Sequence, residues 1–274
     1  MKLTPWILCA TVFLATACND NNSTAAEKDA VKPHVIFTAA ADYGTDSIKL
    51  NGYIAYDTSL TGKRPVVLII HEWWGLNDYI KGRAKQLAEL GYLAMAVDMY
   101  GDGKMGNNPE EAGKLAMPFY TNTALAKSRF EAALAKVKTY SQADTTKIAA
   151  MGYCFGGSMV LNMAKLGEPL NGVVSFHGNL AGVPADKNLL KAQVLVCHGA
   201  DDQFVKPEEV ALFKKQMDSI GANYTFKQYE GATHAFSNPR ATEMGQKFKI
   251  PIAYNAAADS ASWVAMKEFF GKIF

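Results

Sequence analysis

From residue 49 onward the apolar positions of the chain follow two alternating rhythms. Residues 49–57, KLNGYIAYD, alternate one by one like a strand at a solvent edge, because strand side chains point to opposite faces with period two. Residues 64–72, RPVVLIIHE, run apolar and β-branched almost without a break, the pattern of a strand covered on both faces. The next stretch, YIKGRAKQLAELG, repeats its apolar residues at helical spacing and ends on Gly91, suited to the position just past a helix. Further strands are expected at 92–100, 147–152, 172–177, 193–198 and 223–229. Helices are expected at 155–166, 207–219 and about 256–272. One long helical region should run to about Tyr140, opened by Asn108 as cap and Pro109 in the first turn. Strands alternating with helices predict one α/β domain over residues 34–274, its mostly parallel sheet flanked by helices on both faces.

Composition permits such a domain. The chain has 274 residues, 49% of them hydrophobic and 20% charged, enough apolar material for a sizeable core. The net charge of +2 and the lack of any Lys/Arg run exclude a nucleic-acid surface or a polybasic membrane patch. The N-terminus differs from the rest. Lys2, an apolar run from Trp6 to Ala17 and then a polar stretch read as a signal peptide over residues 1–18, followed by a flexible tether over 19–33. Cys18, directly after Ala15-Thr16-Ala17, resembles the lipid-bearing cysteine of bacterial lipoproteins. The expected location is therefore exported: membrane-anchored through Cys18, or periplasmic after plain cleavage. Cys9 also falls in this leader, so only Cys154 and Cys197 belong to the domain and no disulfide framework is indicated. Cys197 closes the run AQVLVC and reads as a buried strand residue.

In open α/β sheets reactive groups gather just past the carboxyl ends of strands. Cys154 is placed there, in the strand-to-helix turn of MGYCFGGS (151–158). Glycines two before and two after it allow a sharp turn and close helix packing, as in the Gly-x-Ser-x-Gly elbow of hydrolases. The helix N-terminus favours a thiolate there. His234, in the YEGATHAF loop after the last strand, is the candidate base. The acid should follow strand 193–198, where Asp201 and Asp202 stand together; the frame Gly199-x-x-Asp202-x-x-Val205 favours Asp202. The order nucleophile, acid, histidine is that of a hydrolase triad on this fold. The loop HEWWGLND (71–78) ends the continuously apolar strand and offers Trp73 N–H, with Phe155 N–H, as an oxyanion hole. It also carries Glu72, a carboxylate at the end of a buried strand. Trp74, Tyr100, His177 and Phe236 are candidate pocket residues, although His177 reads more readily as a structural histidine. The motif GDGKMG (101–106) mimics a dinucleotide fingerprint but runs into Asn-Asn-Pro instead of opening a helix, so it reads as a flexible loop. No His, Cys or carboxylate cluster has metal-ligand spacing, and no cofactor is implied.

Together HEWWGLN, MGYCFGG, GADDQFV and GATHAF resemble, in order and spacing, the dienelactone hydrolase family, the cysteine-using branch of the α/β-hydrolases. The resemblance covers residues 35–274. It implies the α/β-hydrolase fold, Cys154 as nucleophile, His234 as base, Asp202 as supporting acid and Glu72 as the group that helps activate the thiol. It also implies departures. Asp102 and Asn238 stand where family members that bind an anionic dienelactone carry arginines, which implies a different and less anionic substrate. The expected activity is hydrolysis of small esters or lactones, and of thioesters by extension, through a thioacyl-enzyme. The alternatives are a non-catalytic ligand-binding protein, or a redox-active one in which Cys154 pairs with Cys197.

Overall fold

The computed structural model describes residues 1–2, 33–45 and 47–274. Apart from residues 1–2 and 33, the expected signal peptide, tether and lipid site at Cys18 lie outside the described residues. Pro33–Phe274 forms one compact unit. Its eight strands make a single sheet in the order β1-β2-β4-β3-β5-β6-β7-β8. The strands are β1 (Ile36–Thr45), β2 (Ile48–Asp57), β3 (Arg64–Ile70), β4 (Leu93–Val97), β5 (Ala143–Tyr153), β6 (Gly172–Phe176), β7 (Gln193–Gly199) and β8 (Tyr224–Tyr229). β1 and β2 pair antiparallel, β2 joins β4 antiparallel, and every other pairing is parallel. This is the α/β-hydrolase architecture.

Period two explains how the sheet is covered. Val66, Leu68 and Ile70 of β3 point into one apolar cluster, Val67 and Ile69 into the other, and all five are fully buried. Each such side chain contributes roughly 1.5–3 kcal/mol of burial. The first cluster receives Phe130 and Leu134 of α3 (Thr123–Val137), Val160 and Met163 of α4 (Phe155–Lys165), and Phe213 of α5 (Pro207–Ser219). The second receives Ile80, Ala84 and Leu87 of α1 (Asp78–Glu89) and Met266 and Phe270 of α7 (Ala256–Ile273). α1 begins at Asn77, whose side chain accepts from Ile80 N–H. It ends at Gly91 (φ 90°) with Gly91 N–H to Ala88 O at 3.0 Å and Tyr92 N–H to Leu87 O at 3.1 Å. That pair of bonds satisfies carbonyls the helix end leaves open.

Three elements differ from the sequence expectation. The edge strand is β1, so β2 is interior; residues 36–45 are too exposed and small-sided to show a period. The long helical region is two helices, α2 (Pro109–Thr121) and α3. Pro118 removes a backbone donor near the end of α2, and Asn122 then terminates α2 while capping Leu125 N–H of α3. A short helix, α6 (Ala241–Phe248), follows the His234 loop. The Gly101–Gly106 segment is a loop, but a pinned one: the Asp98 carboxylate accepts from Gly101 and Gly103 N–H, and Gly106 N–H donates to Trp74 O.

Candidate active site

Cys154 stands where β5 hands over to α4, with φ 52° and ψ −114°. Such backbone costs a non-glycine residue roughly 1–3 kcal/mol and persists only where the surroundings over-determine it. The surroundings here are glycines. A Cβ on Gly152 would lie 2.2 Å from the Gly156 carbonyl carbon, and one on Gly156 would lie 2.2 Å from Ile70 O. The start of α4 therefore touches the backbones of β5 and β3, which no larger residue permits. The Cys154 N–H is shared between Phe176 O (3.0 Å) and His177 Nδ1 (3.1 Å). Because His177 Nδ1 accepts, its proton sits on Nε2, which donates to Ser237 Oγ at 2.7 Å. Burial, reinforced by His234, pushes the His177 pKa well below its ordinary value and keeps the ring neutral.

His234 lies in the loop between β8 and α6, and Asp202 in the loop after β7. Their separation, Nδ1 to Oδ2, is 2.8 Å. Asp202 Oδ1 accepts the N–H groups of Phe204 and Val205, which fixes the carboxylate against the ring. Asp202 is buried and Asp201 exposed, which separates the two neighbouring acids. Burial alone would lower the His234 pKa; Cys154 and Asp202 outweigh it and raise the pKa to about 10. Burial would raise that of Asp202, but His234 holds it below the usual carboxylate range.

Glu72 follows β3 and is 1% exposed. Burial pushes its carboxyl up to about 7, while Asn238 and His234 pull the other way. Asn238 Nδ2 donates to Glu72 Oε2 at 2.6 Å. Among the described residues neither Trp73 N–H nor Phe155 N–H donates to a protein acceptor. Tyr100 O–H donates to Trp73 O at 2.9 Å and fixes that loop from behind.

These groups open on a cavity of about 370 Å³. Glu72, Cys154 and His234 line it, with walls from Trp73, Trp74, Met117, Tyr120, Phe204 and Ile252. Trp74 is thus a wall. Tyr100, His177 and Phe236 are not among the lining residues: Tyr100 is 5% exposed beneath Trp73, and His177 and Phe236 are fully buried, their rings 5.2 Å apart. The walls absent from the sequence reading come from α2, from Asn179 after β6 and from Ile252 after α6. Phe204 had a local signal, since it stands two residues past Asp202; its ring lies 5.0 Å from that of His234.

Comparison with known proteins places the chain in a family. Protein usf of Aquifex pyrophilus is 30% identical over 219 residues, 78% of this chain and 93% of that protein. A solved dienelactone hydrolase-like promiscuous phosphotriesterase from metagenomic libraries is 32% identical with a TM-score of 0.81, covering 87% of this chain and 99% of its own. The structure of m3DLH is 31% identical with a TM-score of 0.83 over the same shares. The dienelactone hydrolase family model matches residues 50–274. The chain therefore belongs to the dienelactone hydrolase family, whose members are hydrolases acting on esters.

Proposed function

We propose that the chain hydrolyses small esters or lactones through a thioester formed on Cys154. The observation that carries this reading is the run of contacts from Asp202 through His234 to Cys154, opening on a cavity beside two unengaged N–H groups. The sulfur, its proton held by His234, attacks the carbonyl carbon, and the carbonyl electron pair moves to oxygen. Trp73 and Phe155 N–H receive that oxygen. As the tetrahedral species collapses, the C–O bond breaks and His234 passes its proton to the leaving alkoxide. Water, deprotonated by His234, then attacks the thioester; the C–S bond breaks and Cys154 is restored. Asp202 holds the imidazole and supports its charged form.

A second reading, hydrolysis of neutral phosphotriesters at the same thiol, is favoured by the likeness to the metagenomic phosphotriesterase. The redox alternative has less support. Tyr153 pairs with Phe176 and Phe176 with Cys197, so two strand spacings, roughly 9.5 Å, separate Tyr153, the residue before Cys154, from Cys197. A disulfide spans Cα atoms less than about 7 Å apart. Hydrolysis of p-nitrophenyl esters beside Cys154→Ala tests the main reading, with mass spectrometry of the acylated protein. Turnover that survives in Cys154→Ala overturns it. The leader reading supports an exported enzyme, and fatty-acid labelling lost in Cys18→Ala tests the lipid anchor.

A further inference from the structure

One wall of the cavity is a stripe of α2. Gly113, Ala116, Met117 and Tyr120 all line the space, and their spacing of three, four and seven places them on one helix face. Met117 is 58% exposed and Tyr120 42%, although both are large and apolar. Both side chains line the cavity. Gly113 is the least expected member. A glycine in a helix interior weakens the helix, and this one has no packing reason in the protein: a Cβ there would meet no atom within 4 Å. The space above it is part of the cavity.

The charges around the site are also committed. Among the described residues, no Arg or Lys lines the cavity. Arg83 is buried against Asp259 and Ser237 O, Arg240 lies out beside Glu243, and Lys104 pairs with Asp102. Apart from the base His234, the one charged lining residue is the acid Glu72. The positive charge of His234 is already paired with Asp202, so no unpaired cation there compensates an anionic substrate group for its lost water, and Glu72 opposes one wherever it is ionised.

Resting on the hydrolase reading above, we propose that the site takes neutral esters or lactones carrying an apolar chain or ring, seated along α2 over Gly113. Gly113 is then a specificity-determining residue, kept small for the ligand. Met117 and Tyr120 flank the slot, with Phe204 across from it.

The test uses the full domain with p-nitrophenyl acetate, butyrate, valerate and hexanoate, and the hemiglutarate as an anion of the same chain length as valerate. Expected is a rise in kcat/KM from acetate to hexanoate, with hemiglutarate at least tenfold below valerate. In Gly113→Leu the hexanoate-to-acetate ratio should fall at least tenfold while Tm does not fall. A merely structural glycine would lower all esters alike. A flat chain-length series, a preference for the anion, or an unchanged ratio in Gly113→Leu overturns the proposal. If wild type shows no more turnover than Cys154→Ala, the hydrolase reading fails instead. Quenching of tryptophan fluorescence by phenyl hexanoate against phenyl hemiglutarate then reads the ligand class directly: tighter binding of the neutral ester, weakened by Gly113→Leu, upholds it, and the reverse overturns it.

Discussion

The amide of Asn238 donates to Oε2 of Glu72 at 2.6 Å, at the edge of the cavity that also holds Cys154. The Asn238 side chain cannot turn freely, because its Oδ1 accepts Arg240 N–H at 2.9 Å. The donor thus always faces the carboxyl. Glu72 is nevertheless raised by burial to about 7, so near neutral pH it exchanges a proton inside the site.

That raised value has a consequence for stability. Between about 4.5 and 7 the folded chain holds a proton on Glu72 that the unfolded chain has released, so the carboxyl costs stability as pH rises through this window. Glu72→Gln removes the cost while keeping an acceptor for Asn238. Its stability relative to wild type should be about 2–3 kcal/mol better at pH 8 than at pH 4. Urea titrations at the two pH values check this; an equal difference at both would mean that Glu72 titrates normally.

His234 behaves in the opposite sense. Its folded value of about 10 lies above the ordinary histidine value of 6.5. Its contribution is therefore complete below pH 6.5 and is lost as pH rises through 10. Since Cys154 and Asp202 both raise it, either Cys154→Ala or Asp202→Asn should lower the His234 titration midpoint seen by NMR. Asp202→Asn should also reduce kcat by roughly 10³-fold or more, because the ring loses its orienting carboxylate.

His177 is expected to act on the nucleophile's position without touching substrate. It accepts the Cys154 N–H and donates to Ser237. His177→Phe removes one of the two side-chain partners of Ser237 Oγ and leaves it Tyr79 O–H, a loss of about 1 kcal/mol. It should lower kcat with little change in KM. A change in KM alone, measured on the same ester, would count against this positioning role.

Gly156→Ala should be severely damaging to the elbow. The new methyl would stand 2.2 Å from Ile70 O, which is strand backbone and cannot yield. We expect at least about 3 kcal/mol of destabilisation by chemical denaturation, or no soluble protein.

The places of Glu72, Cys154 and Asp202 were legible in the sequence because each follows a strand whose pattern is unmistakable. β3, β5 and β7 are apolar runs, and Glu72, Cys154 and Asp202 stand directly after them. The cavity walls were not legible. Met117 and Tyr120 look like any apolar residues of an amphipathic helix, and only the fold shows that they face empty space. Ile252 reaches the site through α6, whose eight residues are too few to show a period. β1 was hidden for a related reason: at the edge of the sheet, Phe37 and Thr38 are both exposed and no buried face disciplines the pattern.

The positive-φ backbone of Cys154 is a strain that the native state carries. A residue without a Cβ would occupy φ 52° at ease, so Cys154→Gly should relieve strain that Cys154→Ala retains. The inactive glycine variant should then melt above the inactive alanine variant. The difference between the two melting temperatures then measures what a side chain at this turn costs the native state.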